Sequence, residues 1–396
     1  MAFNNQGYST MSEQRIAFIG KPGLVPHSFN INSEKAFKEC GLNTGNLAFW
    51  FAMNQHISGH KEYFDWDVSP DYLKSNFDLI VFPAANQLNP AWDMQALADL
   101  FEKSELPLVI CGLGVQSGSF HSKPEFKKGT RRFMDVVSER ASRIGVRGQF
   151  TAEVLSDCGI SNVEITGCPS NFISANPSLG KDNAAKMNKL YEIKRLILNL
   201  DITEALTPVV RTCFNWSLGR KVNFVNQAPL SAVQLANNEL ELLESKEITE
   251  IKDILSPGMS MATFESLVEN SFSVYFDANE WMHQLQKFDL SVGTRMHGNM
   301  LAWQAGIPSI LIPHDSRTLE LSQTMGLPHL PSSKIRSDMT LEELIEVART
   351  DGREYDFKRQ RLLGLYCSVL EQSGADLSPH LQCLRSEFSS NRKLVA

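Results

Sequence analysis

Short apolar runs recur through the first half of the chain, and the stretches between them carry helical spacing. Residues 15–20 (RIAFIG), 77–82 (FDLIVF), 106–112 (LPLVICG), 144–146 (IGV) and 163–166 (VEIT) have the length and composition of buried strands. Residues 45–57 (GNLAFWFAMNQHI) place Leu47, Trp50, Phe51 and Asn54 at helical intervals. Residues 92–104, 128–142 and 150–158 complete the helical set, the last stopped by Gly159. Strands that alternate with helices predict a parallel sheet covered on both faces.

The pattern then breaks. Residues 176–189 (NPSLGKDNAAKMNK) are polar and bear Pro and Gly, which predicts an inter-domain linker. A second set of strands follows at 196–200, 221–225, 272–275, 290–292 and 309–312. Residues 229–271 between them are acidic and helical, with a turn at Ser256-Pro257-Gly258. Thr340-Leu341-Glu342-Glu343 is a capping box that opens a helix. A longer amphipathic stretch runs from Tyr355 to about Gln372, before Gly374. The expectation is an α/β protein of two Rossmann-like, doubly wound domains facing a cleft. Residues 1–14 form a disordered lead, 15–175 and 190–335 the two domains, and 336–396 C-terminal helices and a tail. A ligand belongs in the cleft, at the carboxyl ends of the strands.

One stretch carries most of the chemistry. Residues 289–326 read as strand, loop, helix, strand, loop, helix. The first loop, Gly293-Thr294-Arg295-Met296-His297-Gly298, sets an arginine and a histidine at a helix start, where unpaired N–H groups already favour anions. Arg295 can grip a carboxylate or phosphate bidentately, and His297 can donate to an anion or move a proton near neutral pH. Gly293 and Gly298 let backbone approach a ligand. The blander alternative is that Arg295 pairs with an acid and His297 caps the helix. The second loop, Pro313-His314-Asp315-Ser316-Arg317, follows the next strand, so Arg317 can reach the same anion. Asp315 or Ser316 is the expected cap there, and His314 is either a second site histidine or a plain loop residue.

In the first half, Asn43-Thr44-Gly45-Asn46 precedes a helix and faces the cleft, with capping as its plain role. Arg147 follows a strand and is a further cleft-edge cation or a structural one. The run from Cys111 to Gly118 is no dinucleotide fingerprint, and Gly20-Lys21-Pro22-Gly23 lacks the end of a phosphate loop.

Composition narrows the classes. The formal charge of -7 argues against a nucleic-acid partner. No apolar run approaches the roughly 20 residues of a membrane span. The N-terminus lacks a basic-then-apolar leader, and Met11 is a possible alternative start. Seven scattered cysteines without a C-x-x-C pair read as reduced thiols, mostly small buried hydrophobes. No zinc motif, D-x-D pair or nucleophile elbow occurs, so no metal is expected. Trp50, Trp66 and Trp92 can stack on a sugar, although core packing is the ordinary role for each.

These residues resemble the polysaccharide pyruvyltransferase family. Gly293-x-Arg295-Met296-His297-Gly298, then Ala302, Gly306-Ile307-Pro308, Arg317 and Gly326-Leu327, resembles its G-x-R-(L/M)-H-G…A…G-x-P signature. Asn43-Thr44-Gly45-Asn46 resembles its N-x-G-D, with Asn46 where the acid is usual. Asp78–Val81 resembles the D-x-(I/V)-(I/V) strand, but the glycines that should follow are replaced by Pro83-Ala84-Ala85-Asn86. The resemblance implies a GT-B-like pair of domains, the second holding the donor and the first the acceptor. It implies phosphoenolpyruvate as co-substrate with no further cofactor, and a pyruvate ketal on a surface glycan or exopolysaccharide as product. Arg295 and His297 would be catalytic. Met296, Gly298, Arg317, Asn43, Asn46 and Arg147 would join them in binding. The acceptor would be a glycan or lipid-linked oligosaccharide, and the protein cytoplasmic, peripheral at the inner membrane where its acceptor is lipid-linked. A GT-B glycosyltransferase with a nucleotide-sugar donor and a non-catalytic glycan or anion binder are the competing classes.

Overall fold

The structure, a computed structural model, describes residues 13–117, 124–190 and 192–395. The expected disordered lead and Gly118 fall largely or wholly outside them. The first sheet holds β1 (Arg15–Ile19), β2 (His60–Phe64), β3 (Leu79–Pro83), β4 (Leu108–Leu113), β5 (Ile144–Val146) and β6 (Val163–Ile165), in the order β2-β1-β3-β4-β5-β6. The second holds β7 (Arg195–Asn199), β8 (Lys221–Val225), β9 (Phe272–Ser273), β10 (Leu290–Gly293) and β11 (Ser309–Leu311), in the order β11-β10-β7-β8-β9. Every pairing within both sheets is parallel. These are two Rossmann-like lobes in a GT-B-like arrangement.

β2 was not expected from the pattern. Its sequence, HKEYF, has no apolar run because it is the sheet's edge and no residue of it is fully buried.

Two helices explain how the lobes join. Asn46–His56 and Met296–Gln304 are apolar nearly all round, as helices buried on several sides must be. Phe49 and Met53 of the first helix share an apolar cluster with Met296, Met300 and Trp303 of the second. On another face, Leu47, Ala48 and Ala52 pack with Leu301, Ala302 and Trp281. Each helix starts at a loop singled out above, so burying the pair presses those loops together. Thr44 N–H donates to the Gln227 carbonyl at 3.1 Å, across the lobes. A Cβ on Gly45 would lie 2.6 Å from Gln227 Oε1, so only glycine lets the loops meet this closely.

The expected linker is corrected. Leu179–Met187 within it is a helix, packed against the long helix Gly352–Gln372. The polar sequence reflects its contacts: Asp356 accepts from the N–H groups of Gly180 (2.7 Å) and Lys181 (3.0 Å). Arg359, fully buried on the long helix, donates to the carbonyls of Asn171 (2.8 Å), Asn176 (2.6 Å) and Ser174 (2.5 Å). Residues 336–396 are likewise not one unit. Leu341–Ala348 completes the core of the second lobe, whereas Gly352–Gln372 returns to the first and joins the cluster containing Ile16, Val81 and Val109.

Candidate active site

Both sheets point their carboxyl ends at the cleft, which sets what can line it. From the second lobe come Asp201 after β7, Gln227 after β8, Thr294–His297 after β10, and His314 and Arg317 after β11. From the first come Asn43 and Asn46, Ala85 and Asn86 after β3, and Arg147 after β5. Together they line a small polar chamber of about 60 Å³. Asn43, Asn46, Ala85, Asn86, Arg295 and Arg317 also line a larger cavity of about 490 Å³. The two spaces are therefore contiguous along a shared wall.

Three guanidinium groups meet at the chamber. Arg147, only 3% exposed, donates through Nε to the Gly112 carbonyl at 2.8 Å. Arg295 donates through Nη2 to Asp201 Oδ1 (2.6 Å) and the Ala228 carbonyl (2.9 Å), while its buried Nε has no protein partner. Arg317 pairs with Asp315 at 3.2 Å. Arg295 thus does pair with an acid, as the blander alternative had it, yet keeps an unsatisfied donor. Burial lowers the pKa of Arg147 to about 10, with the Arg317 charge adding to the effect. Burial also lowers Arg295, against the pull of Asp201. Buried cations that repel one another and outnumber the acids on the chamber wall favour an anionic guest.

His297 sits among them in an unexpected state. Burial, then the charges of Arg147 and Arg317, lower its pKa to about 3. In the free protein the ring is neutral at pH 7, which corrects the expectation of a proton carrier poised near neutrality. Its ring packs tilted against Phe49, with centroids 5.2 Å and planes 52° apart. Its Nε2 lies 3.6 Å from Cys168 Sγ, and that sulfur is 3.0 Å from Ser170 Oγ. Ser170 hydrogen-bonds that sulfur, and either group is able to donate. The thiol and the imidazole are thus in side-chain contact beside the chamber. Cys168 is a small buried residue as expected, but its neighbour makes it part of the site.

Other expected site residues divide. Met296 lines the chamber, and its N–H is among those a helix start leaves without an intrahelical acceptor. His314 also lines it, with Nε2 4.0 Å from Asp201 Oδ2 and a buried, unpartnered Nδ1. Asp315 is the cap of its helix, accepting from Thr318 N–H at 2.8 Å. Gly298 lines neither space. A Cβ there would sit 1.9 Å from Asn199 Oδ1, so the glycine serves protein packing, not a ligand. The same holds for Gly293, whose Cβ would strike the Asn199 backbone. Asn46 donates from Nδ2 to the carbonyls of Cys40 (2.9 Å) and Gly41 (3.3 Å), and so holds the loop that walls the larger cavity.

Asp201, Gln227, Asn86 and Cys168 were missed in the sequence. The first three follow strands β7, β8 and β3, and the rule that found Arg147 would have found them too. Trp50 packs against the core as expected, whereas Trp66 and Trp92 do not. Trp50, Trp66 and Trp92 all line the larger cavity, and Trp66 and Trp92 are 43% and 40% exposed.

A two-lobed α/β protein with an anion chamber between its lobes and an aromatic cavity beside it has the layout of a transferase that brings an anionic donor to a second substrate. The sequence model for polysaccharide pyruvyl transferase matches residues 43–316, and the chain belongs to that family. No curated protein matches it in sequence. Among solved structures it is similar to a UDP-GlcNAc 2-epimerase from Neisseria meningitidis bound to UDP-GlcNAc (10% identity, 96% of this chain and 100% of the other, TM-score 0.41). It is also similar to HepE from Anabaena in complex with UDP and glucose (11% identity, 96% and 100%, TM-score 0.44).

Proposed function

We propose that the chain transfers pyruvate from phosphoenolpyruvate to two hydroxyls of a glycan sugar, forming a pyruvate ketal and releasing phosphate. The carrying observation is the convergence of Arg147, Arg295 and Arg317, from both lobes, on one chamber that adjoins the aromatic cavity. Phosphoenolpyruvate bears a phosphate and a carboxylate on one small carbon, and needs cationic grips close together.

The reaction balances without a redox partner. One sugar hydroxyl adds to the substituted carbon of the enol, and its proton is matched by one delivered to the methylene, which becomes methyl. The second hydroxyl displaces phosphate, and its proton leaves to phosphate or solvent. The guanidinium groups stabilise charge that grows on the departing phosphate. His297 lines the chamber and donates a ring N–H to the bound anion. A trianionic donor also offsets Arg147 and Arg317, the charges that depress His297, so donor binding raises its pKa and readies it to hold a proton. The proposed acceptor is a surface or exopolysaccharide glycan or its lipid-linked precursor, and the proposed place of reaction is the cytoplasm. Among the described residues no helix is long and apolar enough to cross a membrane.

A nucleotide-sugar donor fits less well. A separate cavity of about 780 Å³ near the ends of β7 and β8 is lined by Glu204, Glu247, Glu250 and Asp253 against the single cation Arg211. That wall repels a diphosphate. The test is phosphate release from phosphoenolpyruvate with a panel of hexosides. Release that requires a hexoside and leaves a pyruvylated sugar supports the proposal. Release absent across the panel, with transfer from a nucleotide-sugar instead, would sink it.

A further inference from the structure

We propose that His314 is the acid that protonates the methylene carbon of the donor, with Asp201 as the carboxylate that favours its charged form. The assignment rests on phosphoenolpyruvate as donor and adds the group that moves the proton. His314 follows β11 and lines the chamber beside Arg295 and Arg317. Its Nε2 stands 4.0 Å from Asp201 Oδ2, and its Nδ1 is buried without a partner.

Asp201 serves two groups at once. Its Oδ1 accepts from Arg295 Nη2 at 2.6 Å, which leaves Oδ2 as the oxygen nearer the imidazole. The Asp201 N–H donates to Thr294 Oγ1 at 2.8 Å, and the His314 N–H donates to Thr318 Oγ1 at 3.3 Å, so both backbones are fixed. One carboxylate therefore links the guanidinium that grips the anion to the ring that would hold the proton. Catalytic pairs that stand long in a free enzyme commonly tighten when substrate binds.

The chamber's other histidine lacks that support. Burial, Arg147 and Arg317 all push His297 down to about 3, and no carboxylate acts against them. Burial lowers His314 too, but Asp315 and Asp201 pull it up, against Arg317 and Arg295. Asp201 comes from the loop after β7, Arg295 from the loop after β10, and Asp315 and Arg317 from the loop after β11 and the start of its helix. A bound trianion offsets the two arginines and leaves the two carboxylates, so His314 gains a proton ahead of His297 as the donor binds. With 18% of its side chain exposed, the ring can draw that proton from solvent.

In the step itself, the π pair of the enol forms the new C–H bond with the imidazolium proton. The substituted carbon, left short of electrons, takes the oxygen of the first sugar hydroxyl. That hydroxyl's proton passes to the ring, directly or through water, and restores it. One proton is given and one received, and the phosphate leaves only when the second hydroxyl displaces it.

The experiment titrates the full chain with phosphoenolpyruvate, without acceptor, in buffers of differing ionisation heat. The pH is about 7.5, above the second pKa of a phosphate ester at about 6, so the donor has no proton of its own to shed. The buffer dependence of the heat counts protons taken up on binding. The parent is expected to take up protons. His314→Gln should bind phosphoenolpyruvate within about five-fold of the parent yet lose at least about two-thirds of the uptake, while His297→Gln keeps most of it. Retained binding shows that the His314 variant is folded. In turnover with a hexoside that supports phosphate release, His314→Gln should lower kcat by about 10²–10⁴, the range of general acid catalysis, and leave KM for phosphoenolpyruvate within about five-fold. Binding without proton uptake, uptake that survives His314→Gln or vanishes with His297→Gln, or a kcat kept within about three-fold would each overturn the assignment and leave the donor site standing. A chain that does not bind phosphoenolpyruvate loses the donor and this role with it.

Discussion

The two sides of the cleft hold their functional groups by different means. On the second lobe, Arg295 and Arg317 are locked by Asp201 and Asp315 on short loops between adjacent parallel strands and their helices. On the first, the larger cavity is faced by indoles, amides and the ion-paired carboxylates of Glu39 and Asp65, with Trp92 held through its backbone. Under the proposed function, the difference follows from what each side binds. A small trianion is gripped by preset charge, and desolvated charge must be paired to be tolerated at all. A sugar is held by area and by many replaceable hydrogen bonds. Of the departures from the family pattern, Asn46, Ala85 and Asn86 lie on the wall the two spaces share. Asn46 there is a structural donor to two carbonyls, a task an ionised acid cannot perform.

The comparison breaks most readily on the charged side. Arg295→Ala should lower kcat/KM for phosphoenolpyruvate by about 10²–10³, the usual cost of removing one transition-state donor. The KM for the acceptor should move far less, and steady-state kinetics with each substrate varied gives the split. An equal rise in both KM values would show that the two sides are not separate.

Asn46→Asp probes the shared wall. A carboxylate facing the Cys40 and Gly41 carbonyls loses two hydrogen bonds and gains repulsion, for a cost of about 1–3 kcal/mol near neutrality. Its folded-state pKa is expected to rise, because only the protonated acid can donate there. The penalty should therefore shrink as pH falls through that raised value, and urea unfolding at several pH values reads it. A variant as stable as the parent at pH 7 would contradict the structural role of Asn46.

The neutral His297 makes a prediction with a definite sign. Its folded pKa, about 3, lies below the unfolded value of about 6.5. Between those values the unfolded chain binds a proton that the folded chain does not, so stability falls as pH falls. The full contribution is present above about pH 6.5. Across the window the slope approaches about 1.4 kcal/mol per pH unit for this one group. His297→Gln removes that slope, and the difference between the two unfolding curves isolates it. A flat difference from pH 6.5 to 4 would place the ring in a more polar setting than the structure shows.

The smallest effect is expected at Cys168. Cys168→Ala removes the thiol contact at Nε2, so the balance of imidazole tautomers should shift, visible in ¹⁵N shifts of the ring. The kcat should fall by about three- to ten-fold, on the scale of one weak hydrogen bond. Unchanged ring shifts would remove the thiol from the site.

Most strands and the Arg295 loop were legible in the sequence, because buried parallel strands are continuous apolar runs and strand-to-helix junctions carry glycine. The edge strand His60–Phe64 was not, since an edge demands little burial. The helix Leu179–Met187 was mistaken for linker because its partner, Gly352–Gln372, lies far along the chain. Arg295 and His297 were legible as residues but not as states. The acid that pairs one follows β7 (Asp201), and the burial and then the charges that keep the other neutral are set by loops after other strands, Arg147 after β5 and Arg317 after β11. Local pattern says where a loop begins a helix. It does not say which loops from the opposite lobe will meet it.

The central claim is that the three arginines form a donor site for phosphoenolpyruvate. Calorimetric titration of the protein with phosphoenolpyruvate, without acceptor, tests it most directly. The account predicts saturable binding that inorganic phosphate displaces and that Arg295→Ala weakens at least about thirty-fold. No heat with phosphoenolpyruvate, alongside tight binding of a UDP-sugar that Arg295→Ala leaves unchanged, would contradict it.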